Sequence, residues 1–306
     1  MRNGLLYAIF AYIIWGLLPL YWKGLEAMPA GEILSHRIVW SFVFVAALIM
    51  LQRRWGDLRR ALTDRQTLFP LIASCLLITV NWLVFIWAVS NGHVVETSLG
   101  YYLTPLINVA LAIAFLREKP NRGQWLAIAL AGAGVMIVAV DYGSFPWVSL
   151  TLAITFGLYG LVKKRVRIDA ALGLMTETAL VAPAALVFWG YLGVSGTATA
   201  WTLPGGTFVL LLFSGAATAL PLLLFSYAAK SLPLSMLGFI QYIGPSLMLI
   251  LSLTVFKETI GPAMLVCFIL IWTALIVYAA SSFRAARTTR RAMNANRQSP
   301  SGGRAN

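Results

Sequence analysis

The chain has 306 residues, 60 % of them apolar and only 11 % charged, with a net charge of +13. A water-soluble surface needs roughly 25 % charged residues, so an ordinary soluble domain is excluded and a membrane protein is indicated. At about 20 residues per membrane-crossing helix the length holds about ten spans. The basic residues are scattered between apolar blocks rather than gathered on one water-facing surface, which argues against a nucleic-acid partner.

Apolar runs of spanning length predict helices at 4–22, 31–51, 69–90, 94–115, 123–140, 146–162, 172–192, 207–227, 234–256 and 260–283. The first run, behind Arg2 and apolar through Leu20, resembles a secretory signal, but its length and the lack of a small-x-small site predict a retained first span. If the N-terminus is cytoplasmic, 20 of the 23 Lys and Arg residues fall on the inner side, only Lys23 and Lys257 fall outside, and Arg37 lies within the second span. By the positive-inside rule, both ends are expected in the cytoplasm. Tyr21, Trp22, Trp55, Trp125, Trp147, Trp189 and Tyr191 fall at predicted span ends, as an interfacial belt would. Residues 284–306 carry six arginines with Ser299, Pro300, Ser301, Gly302 and Gly303, and read as a basic, disordered cytoplasmic tail. Cys75 and Cys267 lie in apolar runs without CxxC spacing and read as packing residues.

The sequence repeats itself. A shift of 140 residues pairs Leu83 with Leu223, Phe85 with Phe225, Ala88 with Ala228, Tyr102 with Tyr242, Pro105 with Pro245, Leu111 with Leu251 and Glu118 with Glu258. Near the start of each half, Trp15-Gly16-Leu17 resembles Tyr159-Gly160-Leu161. Five spans per half is an odd number, so the second copy (143–283) enters the membrane from the opposite side to the first (1–142). Inverted halves that pack in two alternative ways are a route to alternating access, which points to a secondary transporter.

Ionisable and polar residues inside spans are functional candidates, because they must face a cavity or a partner. In the second span Arg37 offers fixed positive charge and His36 a titratable group, with Glu32 on the same helix face as His36. Glu177, flanked by threonines in the seventh span, is the second half's counterpart and a candidate proton carrier. Asn81 interrupts the third span. Stripes containing Tyr101, Tyr102, Pro105 and Asn108, then Gln241, Tyr242 and Pro245, run along the fourth and ninth spans at helical spacing. The expected substrate-binding set is therefore His36, Arg37, Asn81, Tyr102, Glu177, Gln241 and Tyr242, with His36 and Glu177 coupling protons and Pro105 and Pro245 as hinges. Glu96 reads as a helix-start cap, Glu118 and Glu258 as interfacial anchors or gate contacts, and Ala127, Ala131, Gly132 and Gly134 as a close-packing stripe. There is no HExxH, P-loop or GxSxG motif, so no metal, cofactor or enzymatic role is expected.

The segments AYIIWGLLPLYWK at 11–23, GEILSHRIVWSF at 31–42, NWLVFIWAVSNGHVVETSLGYYLTPLINV at 81–109, FGLYGLVKK at 156–164 and LSMLGFIQYIGPSLM at 234–248 resemble the RarD family of EamA-type transporters, within the drug/metabolite transporter superfamily. That resemblance implies ten helices in two inverted five-helix repeats, a bacterial inner-membrane location and transport without ATP. It marks His36-Arg37, Asn81-Trp82, Gly100-Tyr101, Gln241-Tyr242, Gly244-Pro245 and Glu177 without assigning them roles. The family is named for an effect on chloramphenicol sensitivity. The expected function is a permease exporting small polar metabolites or drugs by alternating access, with protons as a candidate coupling ion and a homodimer as a candidate assembly. The alternative is a passive channel or non-transporting scaffold.

Overall fold

An unpaired backbone N–H or C=O is costly in hydrocarbon, so a chain this apolar satisfies its peptide groups inside helices. The computed structural model describes residues 2–91, 93–143, 145–166, 168–255, 257 and 261–298, and among these the regular structure is helical, without strands.

The helices in chain order are α1 (Arg2–Lys23), α2 (Ala30–Leu51), α3 (Trp55–Thr63), α4 (Arg65–Ser90), α5 (Val94–Leu116), α6 (Arg122–Tyr142), α7 (Trp147–Arg165) and α8 (Ala170–Val194). A 3-10 turn (Ala200–Thr202) follows, then α9 (Gly205–Ser231), α10 (Leu234–Gln241), α11 (Ile243–Thr254) and α12 (Pro262–Gln298). Nine stretches among the described residues are long and apolar enough to cross a membrane, with α10 and most of α11 forming one of them. α7, which covers the sixth predicted segment, is not among them; its 19 residues end in Lys163, Lys164 and Arg165. Each of the ten predicted segments thus coincides with helix among the described residues, the ninth divided between α10 and α11. The short α3 was not predicted; it is polar and lies within the loop after the second span. α12 continues as helix to Gln298, so over 284–298 the expected disordered tail is instead helical, as Ala- and Arg-rich sequence allows once a helix is nucleated. Residues 299–306 and Glu258 lie outside the described residues.

Prolines and acids set the helix starts. Pro29, Pro146, Pro204 and Pro233 precede α2, α7, α9 and α10. Asp169 caps α8 by accepting from the Ala171 amide at 3.0 Å. Asp64, before α4, accepts from the Gln66 amide at 3.2 Å and the Thr67 hydroxyl at 2.6 Å. Three further glutamates serve distant N-termini. Glu118 accepts from the Leu234 and Ser235 amides of α10 at 2.8 and 3.3 Å, and Glu32 from Thr199 and Ala200, each at 2.9 Å. Glu96, expected to cap its own helix, instead reaches the Val148 amide of α7 at 3.2 Å and His93 at 2.7 Å. Each places negative charge where unpaired amides converge.

The helices form two compact units. The smaller spans 119–141 and 261–306, pairing α6 with α12. There Gly134 faces the Cys267 carbonyl, Ala127 and Ala131 are buried, and Gly132 has open space around it, so most of the predicted small-residue stripe packs closely. The larger unit spans 1–118 and 142–260. In it α1 packs on α9 and α11, α2 on α8 and α9, α4 on α7, and α5 on α7 and α10. Glycine permits the tightest crossing: a Cβ on Gly215 would lie 2.1 Å from the Trp40 carbonyl carbon, and the Ser41 hydroxyl donates to the Gly215 carbonyl at 3.1 Å. The main core gathers Ala8, Ile49, Leu71, Ala112, Leu174, Ala228 and Leu234, toward the end where α1, α4 and α8 begin.

The two repeat-mate prolines behave differently. Pro105 sits inside an unbroken α5. The helix of the second half instead stops at Gln241 and restarts at Ile243, with Tyr242 at φ −61°, ψ −14°. Pro245 thus falls in the first turn of α11, where its missing N–H costs nothing.

Candidate functional site

In the half of the larger unit where α1 ends and α2 begins, the helices enclose a cavity of about 450 Å³. Residues at i, i+3, i+4 and i+7 of α2, from Ala30 to Arg37, form one wall. The latter halves of α1 and α4 and the start of α5 form others, and Gln241, Gly244 and Pro245 close it from the α10–α11 break.

Arg37 is the one charged residue in the lining. Its Nε donates to Thr218 Oγ1 at 3.0 Å and its guanidinium carbon stands 4.5 Å from the centre of the Trp22 ring, an arrangement that favours a delocalised cation. Among the described residues no carboxylate forms an ion pair with it. Asn81 donates both amide hydrogens to α7, to the Leu152 carbonyl and the Thr155 hydroxyl, each at 2.9 Å, which leaves Oδ1 for the cavity. Gln241 accepts at Oε1 from Asn108 at 3.0 Å and Tyr12 at 3.5 Å, which leaves its amide nitrogen.

An aromatic layer separates the cavity from the packed core. Trp15 and Phe156 line the cavity and meet at 5.9 Å, and both touch Phe225, on which Tyr159 stacks at 6.0 Å. Beneath this layer Glu177 forms an ion pair with Lys163 at 2.6 Å. It also accepts from the Tyr159 hydroxyl at 3.2 Å and from the Ser74 hydroxyl.

Of the seven expected binding residues, Arg37, Asn81 and Gln241 line the cavity, as does the hinge candidate Pro245. The other four are placed elsewhere. His36 is turned toward α8, its ring 4.2 Å from that of Trp189. Adjacent helical residues point about 100° apart, and His36 lies on the α8 side of Arg37, outside the stripe of Ala30, Ile33, Leu34 and Arg37 that faces the cavity. Tyr102 and Tyr242 are buried against each other, the Tyr242 hydroxyl donating to the Tyr102 carbonyl at 3.2 Å. Glu177 lies below the aromatic floor, and Pro105 packs its carbonyl against Gly238 of α10.

A model of the EamA-like transporter family matches residues 2–140. The Bacillus subtilis transporter YojE is 45 % identical over 293 residues, covering 94 % of this chain and 97 % of that protein. Protein RarD of Escherichia coli K12 is 41 % identical over 94 % of this chain and 97 % of its own length. The chain belongs to the RarD group of the EamA-like transporter family. A more distant RarD-group member, the Chloramphenicol-sensitive protein RarD of Pseudomonas aeruginosa, is 30 % identical over 93 % of this chain and 96 % of its own. One crystal structure shares the fold with TM-score 0.69 at 15 % identity, covering 90 % of this chain and 96 % of the other. This RarD-group chain is thus a multi-pass membrane transporter.

The fourth-span stripe already named Tyr101, which lines the RarD-group cavity, but the other aromatic walls, Trp15, Trp22, Phe85 and Phe156, carried no functional reading in the sequence. Tyr12, Trp15, Pro19 and Trp22 recur at helical spacing along α1. That signal was available, but Trp22 was assigned to an interfacial belt. Trp189 was assigned there too, yet it packs on His36 and donates to Ser35 at 2.8 Å.

Proposed function

We propose that this protein is a secondary transporter exporting small polar metabolites or drugs across the bacterial inner membrane, with both chain ends cytoplasmic. The observation that carries the reading is the asymmetry of the larger unit: a cavity among spans of both halves at one end, and the main apolar core at the other. On the orientation set by the basic loops, the cavity lies in the periplasmic half and the core in the cytoplasmic half.

Inverted repeats supply the means of exchanging these two ends. Several features support an inverted pair. The packing of α1 on α9 has its repeat mate in α4 on α7, and that of α1 on α11 in α5 on α7. Arg117 and Lys257, 140 positions apart, share a left-handed backbone at φ 54° and 53°. Tyr102 and Tyr242, also repeat mates, touch directly. Opening the cytoplasmic half would have to reorganise the Glu177–Lys163 pair, which makes Glu177 the group through which protons would couple to transport. The drug in the name of the Pseudomonas aeruginosa relative makes chloramphenicol a compound to include among trial substrates.

The test is comparative metabolite profiling of medium from cells overproducing the wild type or Arg37→Ala. A compound enriched outside only with the wild type, and showing saturable counterflow in proteoliposomes, is the expected result. Passage without counterflow would establish a channel instead, and no enrichment would remove export.

A further inference from the structure

The cavity's lining is one-sided in its chemistry. Seven of its 22 residues are aromatic, against 12 % of the whole chain. Its single formal charge is the Arg37 guanidinium, and the lining contains no acid. Arg37 is held from one side by Thr218, which takes its Nε–H, and from another by the Trp22 face. Those contacts use the Nε edge and one face of the guanidinium, leaving the two terminal NH2 groups to present parallel donors, the geometry that matches a planar carboxylate. Most buried cations in a membrane protein find an anion within the protein, as Lys163 does in Glu177. Arg37 finds a hydroxyl and a ring.

We propose that the cavity takes an organic monoanion with a flat aromatic body, its carboxylate on Arg37 and its ring system against the tryptophan and phenylalanine walls. The proposal rests on the reading of this cavity as the substrate site. Aromatic faces reward a stacked or edge-on ring over an aliphatic chain of equal area. A zwitterion or a cation would bring an ammonium group into a lining with no carboxylate to receive it, so desolvation counts against both. Asn81 Oδ1 and the Gln241 amide nitrogen supply an acceptor and a donor for neutral polar substituents.

The experiment uses the purified full-length protein in nanodiscs and tritiated indole-3-acetate, followed by scintillation proximity. Four unlabelled competitors vary one property each: indole-3-acetamide (neutral), octanoate (aliphatic anion), tryptophan (zwitterion) and tryptamine (cation). Indole-3-acetate is expected to bind about tenfold or more tightly than any of the four. Arg37→Gln is expected to weaken indole-3-acetate by about thirtyfold or more and to leave indole-3-acetamide within about twofold, with Arg37→Lys between. The competitor ranking needs only the wild type, so a variant that fails to fold leaves the test intact. Equal binding of acetate and acetamide, a preference for octanoate or tryptophan, or no binding of indole-3-acetate would each overturn the proposal. None of these outcomes bears on export, which the metabolite profiling decides separately.

Discussion

Lys163 and Glu177 form a buried pair, their side chains 4 % and 3 % exposed and their charged atoms 2.6 Å apart. Replacing Lys163 with Met keeps the length of the side chain and removes the charge. Glu177 then retains the Tyr159 and Ser74 hydroxyls, which donate hydrogen bonds but no counter-charge. Breaking a buried pair from one side costs about 3–5 kcal/mol, and the surviving hydrogen bonds place this case near about 3 kcal/mol. At about 2–4 °C per kcal/mol, the melting temperature should fall by about 6–12 °C. Glu177→Gln should cost a similar amount, since Lys163 would keep an amide oxygen and the Tyr159 ring, 5.2 Å away, but no counter-charge. The double variant leaves no unpaired charge and should return to within about 1 kcal/mol of wild type. The assay is heating of detergent-purified protein followed by size-exclusion chromatography with fluorescence detection. Single variants melting like the wild type, or losses that simply add in the double variant, would refute the idea that the two charges hold each other.

Gly215→Ala should prevent accumulation of monodisperse protein, because its Cβ would meet the Trp40 backbone at 2.1 Å, whereas Gly190→Ala, with nothing within 4 Å, should behave as wild type by the same chromatography. Glu118→Ala should destabilise by about 1 kcal/mol or slightly more by removing the acceptor for the first amides of α10; Glu118→Gln should recover part of it in the same melt. Asp169→Ala should cost about 1 kcal/mol through loss of the α8 cap, and Asp169→Asn much less, because the 3.0 Å contact from Arg54 is partly exposed and adds little. A C-terminal green fluorescent protein fusion should fluoresce and the matching alkaline phosphatase fusion should be inactive; the reverse pattern would overturn the proposed orientation.

The spans were legible because the bilayer imposes one requirement, about 20 apolar residues per crossing, and each predicted segment coincides with helix among the described residues, the ninth with α10 and α11 together. The short α3 was not, since nine residues carrying Asp57, Arg59, Arg60 and Thr63 among them make no apolar run of spanning length. Arg37, Asn81, Gln241 and Pro245 were found as cavity residues by asking which polar or helix-breaking residues interrupt apolar runs. The same question was blind to Trp15, Phe85 and Phe156, which interrupt nothing. It also misjudged Lys163, counted as a loop cation but buried in the last turn of α7 against Glu177. Neighbours were not separated either: Tyr101 lines the cavity, while Tyr102, one residue on, is buried against Tyr242.

The sequence by itself determined membrane residence, the span pattern, the repeat and the family resemblance, all of which follow from local composition or from similarity along the chain. Only the tertiary structure decided which acid meets which base, which face of each helix looks into the cavity, and where the second half's helix breaks at Tyr242. The physical reason is that these are relations between residues far apart in the chain. Glu32 meets Thr199 across 167 positions and Arg37 meets Thr218 across 181. Hydropathy records whether a residue belongs in the membrane, and only packing records whom it faces there.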